Sequence, residues 1–279
     1  MKVVVSLEEL RIVRRALPSP LGLAPTMGYL HQGHISLAQT ARSECASVAA
    51  SIFVNPSQFG PNEDLASYPR DLQRDLELLE QAGVDLVWTP TVEEMYPNGY
   101  QTWVTVEELS KPLEGQMRPS HFRGVTTVVA KLFNAVQPDR AYFGQKDAQQ
   151  ASVIRQMVRD LNFNVQIVVC PIVREADGLA MSSRNIYLNP MERQAATVLF
   201  RALSSAQQAY TQGERQAGGL RQIVQQAIEA EPLAKLQYIS CANPLTLQEI
   251  PGKVQGPALL SIAVFIGKTR LIDNLLLDA

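Results

Sequence analysis

Apolar positions in this chain recur with two periods, and their order predicts the fold. Residues 7–16 read as a helix, with Ser6 as N-cap and Glu9 as its reciprocal capping partner; Pro18 and Pro20 end it. The run 21–24 (Leu-Gly-Leu-Ala) reads as a strand, and Ile35, Leu37, Ala38 and Ala41 follow at helix-face spacing. Residues 46–54 are almost wholly apolar, as expected of a strand covered on both faces of a parallel sheet. Strand, helix and strand in such close succession make a βαβ unit. A helix over 65–81, with Leu72, Leu76 and Leu79 on one face and Gly83 as a stop, leads to a third strand at 84–88. Residues 101–106 alternate, which predicts an exposed or interface strand. A strongly apolar helix over 125–136 ends before Pro138, and strands follow at 140–143 and 165–169, with a helix between them.

The pattern changes beyond Asn189 and Pro190. Helices at 191–210 and 214–230 flank Gly213, and short strands follow at 235–241, 258–265 and 269–275. Gly267 and Lys268 suit a hairpin turn between the last two strands. Helices followed by an antiparallel meander predict a small α+β domain. The expected architecture is α/β: a Rossmann-like parallel sheet over residues 1–175 and a smaller C-terminal α+β domain over 176–279. A chain of 279 residues suits that division.

Composition bears on partners more than on fold. Hydrophobic residues make up 46% and charged residues 19%, ordinary for a soluble globular protein. The 25 basic and 27 acidic residues leave a formal net charge of −2, so no basic excess points to nucleic acid. Glu8, Glu9 and Arg11 come too early for a signal peptide, and no apolar run is long enough to cross a bilayer. Cys45, Cys170 and Cys241 are scattered without metal-ligand spacing and fit buried free thiols in a reducing cytoplasm.

The chemistry gathers at strand ends. The stretch 25–34 (Pro-Thr-Met-Gly-Tyr-Leu-His-Gln-Gly-His) lies between the first predicted strand and a helix, where backbone N–H groups and the helix dipole favour an anion. It holds two of the chain's three histidines, His31 and His34, and Gly28 and Gly33 let a ligand approach the backbone closely. The stretch reads as a triphosphate site, with the helix N-terminus and two imidazoles stabilising charge that grows on the phosphates. After the second strand come Asn55 and Gln58, whose amides could bind hydroxyl and carboxylate groups; a polar turn after Pro56 accounts for them equally well. Tyr68-Pro69-Arg70 reads as a mobile loop or, more simply, as a helix lead-in. His121, beside Phe122, reads as a structural histidine. Gly144-Gln145-Lys146-Asp147 follows another strand without P-loop spacing; Lys146 there is a phosphate partner or a surface lysine. Asp177 to Asn185 includes Ser182-Ser183-Arg184, two hydroxyls beside a fixed cation that suit phosphate, although Ser-Ser-Arg by itself usually marks a polar loop.

In this form, stretch 25–34 resembles the HIGH signature of the nucleotidylyltransferase superfamily, and most closely that of the pantothenate synthetase family. Three more motifs stand in that family's order: Asn-Pro-x-Gln-Phe-Gly, Gly-x-Lys-Asp-x-Gln-Gln and Asp-Gly-Leu-Ala-x-Ser-Ser-Arg-Asn. Family members commonly carry Gly-Glu-Lys-Asp where this chain has Gln145, one negative charge fewer. The resemblance implies ATP contacts by Met27, Gly28, Tyr29, Leu30, His31, Gln32, Gly33 and His34. It implies further ATP contacts by Gly144, Gln145, Lys146 and Asp147, by Val173, and by Met181, Ser182, Ser183 and Arg184. It places pantoate on Gln58 and Gln150, with β-alanine on the Gln58 side, and makes Arg184 the counterpart of the lysine in a KMSKS-type loop. The implied activity is ATP-dependent joining of pantoate to β-alanine through a pantoyl adenylate. His34, His31, Lys146 and Arg184 are the expected catalytic groups. Mg²⁺ is expected with the ATP phosphates, with no protein ligand assigned to it. The resemblance further implies a homodimer through the first domain and a second domain that covers the active-site cleft. A nucleotidylyltransferase acting on a phosphate acceptor would share the histidine pair but not need Gln58 and Gln150. A non-catalytic ATP sensor would not need four such charged or ionisable groups.

Overall fold

A computed structural model describes residues 1–61 and 63–277. The chain forms two compact units, residues 1–145 with 149–171, and residues 146–148 with residue 172 onward.

The first unit is built on six parallel strands: β1 (Lys2–Val4), β2 (Leu21–Thr26), β3 (Ser47–Ile52), β4 (Leu86–Trp88), β5 (Arg140–Gly144) and β6 (Gln166–Cys170), in the order β1-β4-β3-β2-β5-β6. The helices are α1 (Leu7–Arg15), α2 (Gln32–Glu44), α3 (Leu72–Gln81), α4 (Val92–Met95), α5 (Glu114–Met117), α6 (His121–Val136) and α7 (Ala148–Asp160). Successive strand residues point to opposite faces, so each face acquires its own core. Leu21, Leu23, Ala49, Leu86 and Trp88 pack with residues of α1 and α6. Ala24, Val48, Ala50 and Val87 pack with residues of α2 and α3. After β2 the chain moves to β3 and β4 on one side and later to β5 and β6 on the other. The carboxyl end of β2 is thus the topological switch point, where open α/β sheets bind ligands.

The Rossmann-like reading holds, with four local differences in this unit. β1 was not expected; three residues are too few to show a period, and its partner β4 supplies the pairing. The helix predicted from residue 65 begins at Leu72, because Pro69 precedes it and the Asp71 side chain caps it by accepting from Arg74 N. Residues 101–106 form no strand. Val104 N donates to Thr127 Oγ1 at 3.0 Å and Val104 O accepts from Thr126 Oγ1 at 2.6 Å, so hydroxyls on α6 occupy the groups a neighbouring strand would bond. α6 itself starts at His121, before the apolar run that announced it.

In the second unit α8 (Pro190–Ala195), α9 (Val198–Thr211) and α10 (Ala217–Glu229) precede three antiparallel strands, β7 (Ala234–Ala242), β8 (Ala258–Ile266) and β9 (Thr269–Leu277). Leu199, Leu203, Leu220 and Val224 meet Leu260, Ile262 and Val264 in its core. The single helix expected over 191–210 is two, and the Thr197 hydroxyl at the break donates to Gln194 O at 2.8 Å. Cys45, Cys170 and Cys241 are buried free thiols. Among the described residues no helix is long and apolar enough to cross a membrane.

Candidate active site

The turn between β2 and α2 is held by its own residues and by one distant carboxylate. Gly28 and Tyr29 take left-handed backbone angles, φ 83° and 51°. A Cβ on Gly28 would crowd Asp75 Oδ2 and Ile52 Cγ2, both at 3.1 Å. Asp75, on α3 and 1% exposed, accepts from Tyr29 N at 2.6 Å (Oδ2) and Leu30 N at 2.7 Å (Oδ1). Those bonds offset the strain of a left-handed tyrosine. Burial pushes the Asp75 carboxyl above its usual range, in spite of both bonds.

His31 is the N-cap of α2, and its Nδ1 accepts from Gly33 N at 3.1 Å. His34 Nδ1 accepts in return from His31 N at 3.4 Å, so the two imidazoles form a capping box. The rings lie 4.0 Å apart, centroid to centroid. Because each Nδ1 receives a backbone N–H, the neutral-ring proton sits on Nε2, and each imidazole carries an N–H donor there. Two such donors at a helix N-terminus suit an anion. Leu30 is buried, Gln32 is exposed, and Gly33 lies in the first turn of α2.

The second strand end carries a network centred on Gln58. Asn55, 1% exposed, caps a one-turn 3-10 helix (Pro56–Gln58); its Nδ2 donates to Gln58 Oε1 at 3.0 Å and Gly124 O at 3.2 Å. Asn55 Oδ1 accepts from Tyr96 OH and Ser57 Oγ, both at 2.8 Å. The Asn55 amide hydrogens are thus both engaged within the protein, and one of them orients Gln58. Gln58 Nε2 donates to Met27 Sδ at 2.9 Å, which joins this network to the β2 turn. His121 fixes the backbone: Nδ1 donates to Gln58 O at 2.9 Å, and Nε2 accepts from Arg118 Nη1 at 3.2 Å. Burial, and then the Arg118 charge, lower the His121 pKa to about 4. Arg118 also holds Glu63 bidentately at 2.7 and 2.6 Å. Of the two glutamines early in α7, Gln149 is fully engaged: it donates to Leu109 O and Pro112 O and accepts from Glu114 N. Gln150 is half-buried. Gly144 and Gln145 lie where β5 ends, beside β2.

In the second unit Val173, Met181, Ser182, Ser183 and Arg184 belong to one hairpin and the turn after it. Met181 N donates to Val173 O at 3.0 Å and Glu175 N to Leu179 O at 2.9 Å. Gly178 closes the tip at φ 93°, where a Cβ would overlap the Phe200 ring. Arg174 crosses the hairpin to Gly178 O at 3.0 Å and pairs bidentately with buried Asp273 at 2.7 and 2.9 Å. Arg193 clamps Glu175 and Asp177 from α8. Ser182 Oγ accepts from Arg184 N at 3.3 Å and starts the short helix that carries Ser183 and Arg184. Lys146 and Asp147, from the link before α7, also belong to this unit, and Lys146 O accepts from Asn274 Nδ2 at 2.9 Å.

Asp75, Arg118 and the Arg174–Asp273 pair were missed in the sequence. Asp75 alone carried a signal, a carboxylate on the apolar stripe of Leu72, Leu76 and Leu79. Among the described residues no group of three or more His, Cys, Asp or Glu side chains is placed to hold a metal.

A family model described as pantoate-beta-alanine ligase matches residues 2–276. A pantothenate synthetase from Herpetosiphon aurantiacus is 58% identical over 99% of this chain and 100% of its own. Another, from Roseiflexus sp. (strain RS-1), is 59% identical with each covered in full. Among solved structures, a pantothenate synthetase from Thermus thermophilus superimposes with a TM-score of 0.94 at 50% identity, covering 99% of each chain. A pantoate-beta-alanine ligase from Francisella tularensis, complexed with beta-gamma ATP and beta-alanine, gives 0.80 at 36% identity, covering 99% of this chain and 97% of its own.

Proposed function

This chain belongs to the pantoate–β-alanine ligase family, and we infer that it forms pantothenate from pantoate, β-alanine and ATP. The reaction has two steps. A pantoate carboxylate oxygen attacks the α-phosphorus of ATP; the bond from that phosphorus to the β-phosphate bridge breaks, giving pantoyl adenylate and pyrophosphate. The β-alanine amine then attacks the acyl carbon, the acyl–phosphate bond breaks, AMP leaves and the amine loses a proton. Adenylation is required because a free carboxylate is unreactive toward an amine.

The observation that carries this reading is the paired-imidazole cap of α2, with both ring N–H donors at the helix N-terminus after β2. It suits the α- and β-phosphates, whose charge grows as the α-phosphorus is attacked. Lys146 and Arg184 are assigned to the same charge, Lys146 as a point charge and Arg184 as a fork that grips two oxygens. Gly144 to Asp147, Val173 and Met181 to Ser183 are assigned to ATP. Gln58 and Gln150 hold pantoate, with Asn55 acting through Gln58. Electrostatic stabilisation accounts for His34, and its Nε2–H also allows proton donation. Mg²⁺ comes as the ATP complex: the charge of the phosphates holds it, and the described residues offer no carboxylate cage of their own. Buried thiols fit a cytoplasmic enzyme, and family resemblance supports a homodimer.

The test is a substrate matrix. ATP and Mg²⁺ with pantoate should release pyrophosphate, whereas phosphopantetheine in place of pantoate should not. Turnover with phosphopantetheine would instead identify a nucleotidylyltransferase. Saturable ATP binding with no pyrophosphate in any combination would identify a sensor.

A further inference from the structure

Lys146 to Ala148 stand in the sequence between β5 and the rest of α7, both parts of the first unit, yet they pack with the second. One bond explains part of this. Asn274 on β9, 3% exposed, donates from Nδ2 to Lys146 O at 2.9 Å. Asn274 N in turn donates to Asp273 Oδ1 at 2.8 Å, and the Asp273 carboxylate holds Arg174 on both terminal guanidinium nitrogens. Arg174 spans the hairpin that leads to Ser182, Ser183 and Arg184. The dipeptide Asp273–Asn274 therefore grips the Lys146 main chain with one side chain and the base of the Arg184 hairpin with the other. Both cations assigned to phosphate charge depend on it.

The chemistry at Asn274 is selective. Its partner is a carbonyl, so the side chain must donate; an aspartate would set oxygen against oxygen, and a leucine would fill the space without a bond. The Lys146 carbonyl belongs to the short 3-10 turn Gln145–Asp147. Fixing it fixes the peptide plane after Lys146, and with it the direction in which the side chain leaves the backbone. A shift of about 1 Å in a charged group can cost roughly 10²-fold in rate.

We propose that Asn274 is a positioning residue for the adenylation step, acting on Lys146 through this carbonyl. The proposal rests on the assignment of Lys146 to phosphate charge. Its test is a double-mutant cycle on pyrophosphate release from ATP, Mg²⁺ and pantoate, with Tm measured for each variant. Asn274→Ala should lower kcat about tenfold, with a smaller change in KM for ATP. Lys146→Ala should lower kcat further still. The double variant should be no slower than Lys146→Ala alone, because a lysine that is absent cannot be misplaced. Additive losses, or full activity in Asn274→Ala, would overturn the proposal. If the alanine variant unfolds, Asn274→Leu carries the same cycle; loss of the fold in both would assign Asn274 to stability alone and overturn it equally. Full activity in Lys146→Ala would instead remove the phosphate assignment from which the proposal starts, and that outcome is read from the single variant.

Discussion

The turn holding His31 and His34 and the hairpin leading to Arg184 are both assigned to phosphate, but they are built in opposite ways. The first is largely self-contained. Its two imidazoles cap the helix that they open, and each accepts a backbone N–H from within four residues. From outside, the Asp75 carboxylate accepts from two of its backbone N–H groups. The second is held from a distance. Arg174 depends on Asp273, 99 positions further on, Asp177 depends on Arg193, and the hairpin tip lies against Phe200. A locally closed turn can be damaged at the chemical group without damage to the fold. A turn clamped by remote residues loses its shape when any clamp is removed.

That contrast makes predictions at both places. His34→Ala should cut pyrophosphate release by about 10²–10³, the loss expected when one donor to developing charge is removed. Its Tm should fall only slightly, by the worth of one weak cap, and a rapid-quench adenylation assay beside a melting curve checks both. Asp273→Ala should destabilise the second unit by about 3 kcal/mol, because it leaves the Arg174 guanidinium without its partner. Urea unfolding should register that loss, and KM for ATP should rise. His121 makes stability depend on pH. Its folded pKa of about 4 lies below the unfolded value of 6.5, so the unfolded chain binds the extra proton between them. The contribution is complete above the unfolded value and is lost as pH falls, by about 2 kcal/mol between pH 7 and pH 5. Urea titrations of the native enzyme and His121→Gln at both pH values should diverge accordingly. Asp75→Asn replaces one of two acceptor oxygens by a donor facing an N–H. It should slow adenylation about tenfold with the fold retained. Gln58→Ala should raise KM for pantoate several-fold, about 1 kcal/mol for one hydrogen-bonding group, and leave ATP nearly unaffected. Equal losses for both ligands would remove Gln58 from pantoate.

The same contrast explains what could be read from the sequence. The parallel sheet was legible because strands covered on both faces are apolar runs, and 46–54 is such a run. The β2 turn was legible because its chemistry is contiguous: glycines, histidines, strand and helix lie within one short stretch. Asp75, Arg118, Asp273 and Asn274 act across long sequence separations, and of these Asp75 alone leaves a local trace, as a carboxylate on the apolar stripe of α3. Residues 101–106 show the reverse failure. Their alternation is real, but the threonines of α6 take the bonds that a sheet would have used. At Asn55 the sequence supports a substrate contact and a polar turn equally; its amide hydrogens go to Gln58 and Gly124, partners that no local pattern reveals.

One measurement bears most directly on the account: a rapid-quench experiment with enzyme in excess over ATP, with Mg²⁺ and pantoate and no β-alanine. Pyrophosphate should be released in amount equal to the ATP, with AMP and pantothenate appearing only once β-alanine is added. Pyrophosphate that stays absent until the amine arrives would contradict it.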